Sequence, residues 1–374
     1  MQGASRVGVA VTRVRVPQEH MPVARLTTLD VGGPARWFAV ASRATDIEDW
    51  VAWSTEQGVA LTVLGGGSNV VVADRGIEGL VLQVALRRTS LEPVGDAVRL
   101  TAGAGESWDD IVALSVALGL GGLECLSGIP GRVGGTPIQN VGAYGQDVAQ
   151  VLEHVAVFDR VSNAMAVLPA ADCGFTYRSS RFKGADAGRF IVCDVAFRLQ
   201  RRCAEPTYPD LCTQLAAAGR GSSPTVAHVR SAVLQLRRIK GMVLNEEDRD
   251  TRSVGSFFVN PIVTPSDIDR IATTAGEAPP SFPAGEGRVK VPAAWLIERA
   301  GFAKGLQDGA VGLSTKHTLA IVNRGGATAA DVVRLAVRIK TQVGDRFAVA
   351  LRPEPVFLGF GDDPDVRFLQ RAND

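Results

Sequence analysis

The sequence predicts an α+β fold with mixed sheets, and three observations lead to this prediction. Helical and strand-like segments alternate along the chain, without an internal repeat or a low-complexity stretch. Two glycine-rich loops interrupt the strand-like chain, and their interleaved apolar residues are typical of ordered loops rather than of linkers. The length of 374 residues is enough for two or three domains with separate cores.

Capping signals and hydrophobic periodicity predict the individual elements. The predicted helices cover residues 45–58, 107–119, 222–241 and 328–343, and strand-like segments cover 61–64, 69–74, about 145–200 and 348–360. The apolar stripes that mark the buried helix faces include Ile47, Trp50 and Val51 in the first helix and Val332, Leu335, Ala336, Ile339 and Val343 in the last. Thr45 and Glu48 predict a capping box for the first helix. The third helix is expected to have Ser223 as its cap and Pro224 in its first turn.

Charge and composition exclude several classes of protein. The net charge is +1, from 40 basic and 39 acidic residues, so the chain has no electrostatic footprint for nucleic acid or a membrane surface. The five cysteines form no CxxC motif and indicate free or buried thiols of a reducing compartment. Four scattered histidines do not predict a metal site. Residues 1–20 lack a signal-peptide core and no apolar run reaches about eighteen residues, so we expect a cytoplasmic protein without membrane insertion.

The two glycine-rich loops, 64–74 and 127–145, carry the first chemical signal. Glycine lets backbone N–H groups approach an anion closely, although either loop alone is equally well interpreted as a tight turn. The usual nucleotide motifs are missing from the sequence. GAGESW (103–108) has tryptophan in place of the third Rossmann glycine, and the chain has no Gly-Lys pair for a Walker A loop. A nucleotide cofactor would therefore be held by another fold.

Seven motifs follow one another along the chain. They are LGGGSNVVVAD, LSGIPGRVGGTPIQNVGAYG, YRSSRFK, GSFFVNP, AAWLIERAGFAKG, STKHTLAIVN and RPEPVFLG. In order and spacing, the series resembles the UDP-N-acetylenolpyruvoylglucosamine reductase family, flavoenzymes of bacterial peptidoglycan synthesis, from about residue 25 to residue 360. Residues 278–298 fill the place of the insertion that marks the type I branch of that family.

The resemblance implies a fold and a cofactor. The fold is a two-subdomain FAD-binding fold of the vanillyl-alcohol-oxidase (PCMH) type plus an α/β substrate-binding domain. We expect the subdomains at 20–83 and 84–241, the second completed by 349–374, and the substrate-binding domain at 242–348. FAD is expected to be non-covalent, because the two glycine-rich loops contain no histidine to anchor it, and NADPH is the expected electron donor. The implied FAD contacts are Gly65, Gly66, Gly67, Ser68, Asn69, Ser127, Gly128, Ile129, Pro130, Gly131, Gly134, Gly135, Thr136, Gly142, Ala143 and Tyr144.

Three residues match the catalytic positions of the family. Ser256 in GSFFVNP is implied as the proton donor to the carbon next to the substrate carboxylate, and we expect Phe257 and Phe258 to keep bulk water away from it. Arg178 is implied as the fixed cation that holds the charge developing on that carboxylate. Glu354 is implied as the third catalytic residue, its backbone restricted by the prolines on either side. Taken singly, the three would be interpreted as a turn serine, a surface arginine and a glutamate in a rigid turn.

The resemblance also implies a substrate site. It is built from Tyr177, Tyr208, Lys240, Asn260, Phe282 and His317, with Lys316 as a weaker candidate. Lys240 and Asn260 would contact the diphosphate, although Lys240 alone would be interpreted as a cation at a helix C-terminus. Phe282 stands where type I members usually have a tyrosine, so we expect one phosphate contact to be missing.

The implied function is NADPH-dependent reduction of UDP-N-acetylglucosamine enolpyruvate to UDP-N-acetylmuramate, by a monomer whose partner is this small nucleotide sugar. One alternative is a flavin-dependent oxidase or dehydrogenase of a small hydroxy acid. That enzyme would need a base, usually histidine or tyrosine, and would leave GSFFVNP without a role. Another alternative is a non-redox nucleotide-sugar binding protein, which would purify without flavin colour.

Overall fold

The structure is a computed structural model that describes residues 16–371, so most of residues 1–20, where no signal peptide is predicted, lies outside the described residues. The strands are β1 (Gln18–Pro22), β2 (Pro34–Ala41), β3 (Leu61–Leu64), β4 (Val70–Val72), β5 (Ile77–Val84), β6 (Thr89–Val94), β7 (Ala97–Gly103), β8 (Gly142–Ala143), β9 (Gln146–Asp147), β10 (Leu152–Asp159), β11 (Ala164–Pro169), β12 (Phe190–Gln200), β13 (Phe258–Val259), β14 (Ile262–Val263), β15 (Phe282–Pro283), β16 (Val289–Lys290), β17 (Gln307–Asp308), β18 (Val311–Leu313), β19 (Ile321–Asn323), β20 (Arg352–Pro353) and β21 (Val356–Leu358).

The helices alternate with these strands. They are α1 (Ala44–Glu56), α2 (Trp108–Ala117), α3 (Pro209–Ala217), α4 (Val226–Ile239), α5 (Pro265–Ala275), α6 (Ala293–Arg299), α7 (Ala329–Phe347) and α8 (Pro364–Gln370). The four predicted helices correspond to α1, α2, α4 and α7. The sequence does not predict α3, α5, α6 or α8, which are short. No helix within residues 16–371 is long and apolar enough to cross a membrane.

Two larger sheets build the N-terminal part of the molecule. One has the order β1-β2-β5-β3, in which β2, β5 and β3 are parallel and β1 is antiparallel to β2. The other is antiparallel throughout, with the order β11-β10-β12-β7-β6. The two sheets share one apolar core, in which the predicted stripe of α1 is buried and the rings of Trp108 and Phe197 lie 5.7 Å apart. This core places both glycine-rich loops between the sheets and the rest of the chain.

A second core forms around α7 in the C-terminal part. The five residues of its predicted stripe are buried, which confirms the amphipathic pattern. Phe257 and Phe258 are also in this core, with ring centroids 5.1 Å apart, as are Leu296 and Ile297 of α6. The small sheets β14-β16-β15 and β17-β18-β19 cover its edges.

Two predicted helix caps are wrong. The N-cap of α1 is Arg43 rather than Thr45, because the Asp46 carboxylate accepts hydrogen bonds from the backbone N–H groups of Ser42 and Arg43, both at 2.9 Å. The N-cap of α4 is Thr225, whose Oγ1 accepts a hydrogen bond from the N–H of the third helical residue at 3.3 Å, so Pro224 precedes the helix. In both cases a nearby side chain satisfies the free backbone donors better than the predicted one does.

The C-terminal segment joins the two parts. The predicted single strand 348–360 is wrong, because it is divided at Glu354 into β20, antiparallel to β13, and β21, parallel to β4. The segment ends with α8, where the ammonium of Lys340 donates to the carbonyls of Phe368, Leu369 and Arg371 at 2.7–2.9 Å. We therefore propose that residues 349–371 belong with the C-terminal core and with β4, rather than with the predicted subdomain at 84–241.

Candidate active site

A cavity of about 1200 Å³ lies between the two glycine-rich loops and the C-terminal core. A typical small-molecule site has roughly 300–1,000 Å³, so this cavity has room for more than one ligand. The predicted residues that line it are Gly65, Gly66, Gly67, Ser68, Asn69, Ile129, Pro130, Gly131, Gly134, Gly135, Thr136, Gly142, Ala143, Tyr144, Tyr177, Arg178, Tyr208, Lys240, Ser256, Asn260, Phe282, His317 and Glu354. The fold thus brings together residues that are up to 289 positions apart in the sequence (65 to 354).

The first glycine-rich loop presents a row of free donors. Within the described part of the chain, the successive backbone N–H groups of residues 65–68 donate no hydrogen bond to another protein group. Gly67 has φ +62°, and a Cβ at this position would overlap the carbonyl of Leu26, so only glycine fits. Consecutive free N–H groups in a loop form a concave anion site, which suits a pyrophosphate.

The second glycine-rich loop lies directly against the first. A Cβ on Gly66 would be 2.7 Å from Cα of Gly131, so the two backbones are in contact. The Ser68 hydroxyl also donates to the carbonyl of Pro130 at 3.0 Å. The two loops therefore form one cradle, which we define as residues 65–69 and 129–136.

Two of the predicted FAD contacts, Ser127 and Gly128, precede the cradle and do not line the cavity. Ser127 is fully buried, and its hydroxyl donates to the carbonyl of Glu124 at 2.7 Å. The N–H of Gly128 donates to the Asp109 carboxylate at 2.6 Å. These groups stabilise the start of the loop, because their polar atoms already have protein partners.

Arg178 and Glu354 meet on the wall of the cavity. Arg178 lies in the two-residue turn of a small hairpin between Thr176 and Ser179, with φ +56°, a strained backbone conformation for an arginine. Its Nε is 3.4 Å from Oε1 of Glu354, and its Nη2 donates to the carbonyl of Gly142. Burial raises the pKa of Glu354, whereas the charges of Arg178 and Lys183 act in the opposite direction.

Ser256 lies on the chain segment that runs beside Glu354. The N–H of Glu354 donates to the carbonyl of Phe257 at 2.8 Å, so the serine and the glutamate lie on adjacent chain segments. Within the described residues, the Ser256 hydroxyl has no hydrogen-bond partner, and it lines the cavity. The expectation that Phe257 and Phe258 keep water from Ser256 is wrong, because both rings are buried in the C-terminal core and neither lines the cavity. They anchor the segment instead.

The hairpin of β15 and β16 covers one side of the cavity. Phe282 pairs with Lys290 across it and is 40% exposed. The ammonium of Lys290 is 5.0 Å from the centre of the Tyr177 ring, and burial and the charge of Arg178 lower the pKa of this lysine. The Asn260 side-chain carbonyl accepts a hydrogen bond from the N–H of Ala293 at 2.9 Å, which fixes its amide beside Tyr177.

The opposite side of the cavity is formed by Lys240, Tyr208 and His317. Lys240 is the C-cap residue of α4, and its ammonium is 3.2 Å from the Asp210 carboxylate. It therefore lies at a helix C-terminus and also lines the cavity. Tyr208 meets Tyr144 edge to face at 5.3 Å. Burial, followed by the charges of Lys240 and of Lys304, lowers the pKa of His317 to about 4.

Lys316 does not line the cavity. Its ammonium pairs with the Asp248 carboxylate, and this pair holds the loop that carries His317 against residues 245–252. The weaker candidate is therefore structural in this arrangement.

Several polar residues of the cavity wall are not predicted, and three of them bear on the site. Gln139 donates to the Glu354 carboxylate, and Lys183 donates to the Glu354 carbonyl at 2.9 Å. Arg237 of α4 lines the cavity, and its Nε has no hydrogen-bond partner among the described residues. Gln139 and Lys183 lie inside the motifs quoted above, so their positions could have identified them as candidate site residues. Arg237 could not be identified in this way, because a basic residue near a helix end is common.

Comparison with known proteins agrees with this geometry. Residues 35–164 match the model of an FAD binding domain, and residues 246–358 match the C-terminal domain of UDP-N-acetylenolpyruvoylglucosamine reductase. The predicted fold class and the FAD cofactor are thereby confirmed.

Similar proteins cover nearly the whole chain. The UDP-N-acetylenolpyruvoylglucosamine reductase of Thermobifida fusca is 50% identical over 349 residues, 91% of this chain and 97% of the relative. The protein of the same name from Saccharopolyspora erythraea is 48% identical over 353 residues, 91% of this chain and 96% of the relative. The crystal structure of the Thermus caldophilus reductase matches with a TM-score of 0.63 and 27% identity, covering 91% of this chain and 98% of that one. The chain therefore belongs to the UDP-N-acetylenolpyruvoylglucosamine reductase family.

Proposed function

We propose that the protein reduces UDP-N-acetylglucosamine enolpyruvate to UDP-N-acetylmuramate in peptidoglycan synthesis, with FAD as cofactor and NADPH as electron donor. The observation that carries the proposal is the meeting of Ser256, Arg178 and Glu354 on the wall of the cavity that the two-loop cradle also lines. A proton donor and a fixed cation are the groups that reduction of an enolpyruvyl ether requires, and the buried carboxyl group of Glu354 lies beside the cation.

The cradle fits the pyrophosphate of FAD. The free N–H groups of residues 65–68 supply hydrogen-bond donors. Gly66 and Gly131 are in contact and have no side chains, so no side chain separates these donors from a ligand. When bound there, FAD would supply the hydride for reduction of the enolpyruvyl group. We propose non-covalent binding, for which the absence of histidine from residues 64–74 and 127–145 is the support.

Arg178 would hold the substrate carboxylate. Hydride addition places negative charge on the carbon beside that carboxylate, and a guanidinium spreads matching donors over a plane. Nε and Nη2 are held by Glu354 and by the carbonyl of Gly142, so the orientation of the guanidinium is fixed before a ligand arrives.

Ser256 would donate the proton to the same carbon. A serine hydroxyl is a weak acid in water, but an enolate-like centre needs a well-placed proton more than a strong acid. Its hydroxyl has no protein partner among the described residues and is therefore free to point at a ligand. Glu354 lies beside Arg178, and in its protonated form it would donate a hydrogen bond to the negatively charged intermediate.

The residues that remain would bind the nucleotide sugar. We propose that Lys240 and Asn260 contact its diphosphate, that Tyr208 and Tyr177 cover it, and that His317 adds a neutral polar contact. We propose that the protein acts as a monomer. A nucleotide sugar and NADPH are reactants of the cytoplasm, where we propose that the reaction takes place.

The test is an anaerobic titration of the purified protein. We expect a yellow protein whose flavin absorbance is bleached by NADPH and restored by UDP-N-acetylglucosamine enolpyruvate. UDP-N-acetylglucosamine, which lacks the enolpyruvyl group, is the matched control and should restore nothing. A colourless protein that binds the sugar would favour the binding-protein alternative, and bleaching by small hydroxy acids would favour the oxidase alternative. Release of all flavin into the supernatant after acid precipitation would support non-covalent binding.

A further inference from the structure

Three polar residues beside the cavity form a closed ring of hydrogen bonds. The amide nitrogen of Asn69 donates to Oε1 of Gln139 and, at 3.4 Å, to the backbone carbonyl of Glu354. The amide nitrogen of Gln139 donates in turn to Oε1 of Glu354 at 3.2 Å. The ring therefore runs from the backbone carbonyl of Glu354 through Asn69, the last residue of the first cradle loop, and Gln139 to the carboxyl group of Glu354.

The ring can have only one orientation with all its bonds intact. Asn69 faces two carbonyl oxygens, so its amide must present the nitrogen to both of them. Gln139 must then present its oxygen to Asn69 and its nitrogen to Glu354. Turning the Gln139 amide over would set two donors against each other and two acceptors against each other. The side chain of Gln139 is thus fixed as a donor to Glu354.

The two oxygens of the Glu354 carboxyl group are therefore unequal. Oε1 accepts a hydrogen bond from the amide N–H of Gln139 and forms an ion pair with Arg178, whose Nε is 3.4 Å away. Oε2 accepts no hydrogen bond from the described part of the protein. A proton on this carboxyl group must consequently be carried by Oε2, because Oε1 already accepts the N–H of Gln139 and lies beside the positive guanidinium of Arg178.

We propose that Gln139 is a positioning residue that acts through Glu354: it reserves Oε1 as an acceptor and leaves Oε2 as the oxygen that carries the proton and meets the ligand. The ring also links that carboxyl group to the cofactor loop, because the N–H of Val356 donates to the Asn69 carbonyl at 3.0 Å. The proposal rests on the proposed function for its catalytic consequence, although the titration of Glu354 can be measured without turnover.

The hydrogen bond has a predictable effect on protonation. A donor to a carboxylate favours its charged form, so removing Gln139 should raise the pKa of Glu354 further above its ordinary value. Gln139→Met keeps the length of the side chain and removes both its donor and its acceptor. Gln139→Glu keeps an acceptor for Asn69 but places a like charge beside Glu354, so it should raise the pKa at least as much.

The first experiment follows the infrared absorption of the protonated carboxyl group in the FAD-bound protein as a function of pH. The signal of Glu354 is identified by subtracting the spectrum of Glu354→Gln. We expect the titration to move to higher pH in Gln139→Met and in Gln139→Glu. An unchanged titration in both variants would overturn the proposal, whatever substrate the enzyme uses.

The second experiment measures reoxidation of the NADPH-reduced flavin by the enolpyruvyl sugar. In Gln139→Met we expect a loss of about tenfold or more, the effect of losing one hydrogen bond to a charged group. Flavin content and the rate of reduction by NADPH should stay within about twofold of the unaltered protein. In the Glu354→Gln background the same change should have almost no further effect, because Gln139 acts through that carboxyl group.

The outcomes separate the two proposals. If the unaltered protein is not reoxidised by the sugar, the proposed function fails, and the infrared titration still decides the role of Gln139. If it is reoxidised and Gln139→Met causes the same loss in both backgrounds, Gln139 has a merely structural role and the inference fails.

Discussion

Nε of Arg178 lies 3.4 Å from Oε1 of Glu354, on a wall that two distant parts of the sequence share. Nη2 of the same guanidinium is held by the carbonyl of Gly142, and within the described residues Nη1 has no hydrogen-bond acceptor. The protein therefore holds one side of the arginine and leaves the other side for a ligand. This division makes the arginine difficult to replace.

Arg178→Lys should slow the oxidative half-reaction strongly. A single ammonium cannot contact Glu354, Gly142 and a substrate carboxylate in one plane, as the guanidinium does. We expect reoxidation of the reduced flavin by the enolpyruvyl sugar to fall by about 10²-fold or more, with reduction by NADPH retained. Stopped-flow absorbance of the flavin measures both steps. Equal slowing of the two half-reactions would point to a role in flavin positioning instead.

Ser256→Ala should retain FAD and its reduction by NADPH but lose most of the reoxidation by substrate. A general acid contributes about 10²–10⁴-fold, which sets the expected loss. Ser256→Cys keeps a donor of similar reach and should recover part of the rate. Ser90→Ala, at an exposed strand position, is the matched control. An alanine variant within a few-fold of the unaltered rate would remove Ser256 from the mechanism.

Gly66→Ala should weaken FAD binding. The added Cβ would lie 2.7 Å from Cα of Gly131, so the two cradle loops must separate before any ligand is contacted. Gly134→Val should act similarly, because a Cβ there would be 2.6 Å from Cβ of Ala104. The ratio of flavin to protein absorbance after purification measures the effect. Gly221→Ala, where the nearest atom is 3.5 Å away, is the control, and fully yellow variants at both cradle positions would contradict our placement of FAD.

Phe282→Tyr should lower KM for the nucleotide sugar. Phe282 lines the cavity and is 40% exposed, so a hydroxyl on its ring can reach a ligand without displacing the core. A hydrogen bond to a charged phosphate contributes roughly 1.5–3 kcal/mol, less the cost of ordering the hairpin. We expect KM to fall by several-fold, with little change in kcat. An unchanged KM in steady-state assays would show that this chain binds the diphosphate without that contact.

His317→Gln should reduce the loss of stability in mild acid. The pKa of His317 is lowered to about 4 in the folded protein, so the unfolded chain binds the proton more readily. The free energy of unfolding should therefore fall as the pH decreases from about 6.5 towards 4, by at most about 3 kcal/mol from this group. Urea unfolding at pH 7 and pH 5 tests this. The decrease should be smaller in His317→Gln and unchanged in His154→Gln; equal decreases in all three proteins would argue against burial of a neutral imidazole.

The sequence predicts the helices that have long apolar stripes. It does not predict features, such as the exact start of a helix, that depend on residues brought together only in the folded protein. The stripe of α7 has five apolar residues and every one is buried, because a long amphipathic pattern outweighs local signals. The start of α4 is wrong by two residues, because three hydroxyl residues precede it and only the folded chain shows that Thr225 caps the helix. The short helix α3 lies in a polar segment that resembles a domain boundary.

The site shows the same division. The motifs identify Arg178, Ser256 and Glu354, and the fold places all three on one cavity. Gln139 lies inside a motif, but its role is visible only in the folded protein, because it depends on the distant residues Asn69 and Glu354. Ser127 lies inside a motif yet turns its hydroxyl to Glu124, so membership of a motif does not determine where a side chain points.

The course of residues 352–358 affects how the molecule can be divided. This segment gives β20 to a strand of the C-terminal core and β21 to a strand beside the first cradle loop, with Glu354 between them. A cofactor-binding fragment that ended near residue 245 would expose an unpaired β4. A separately expressed C-terminal fragment would carry the Glu354 carboxyl group with no cradle beside it. If recombination between relatives exchanged only one half, β4 would have to pair with the β21 of another protein. The two halves must therefore be inherited, and engineered, as a matched pair.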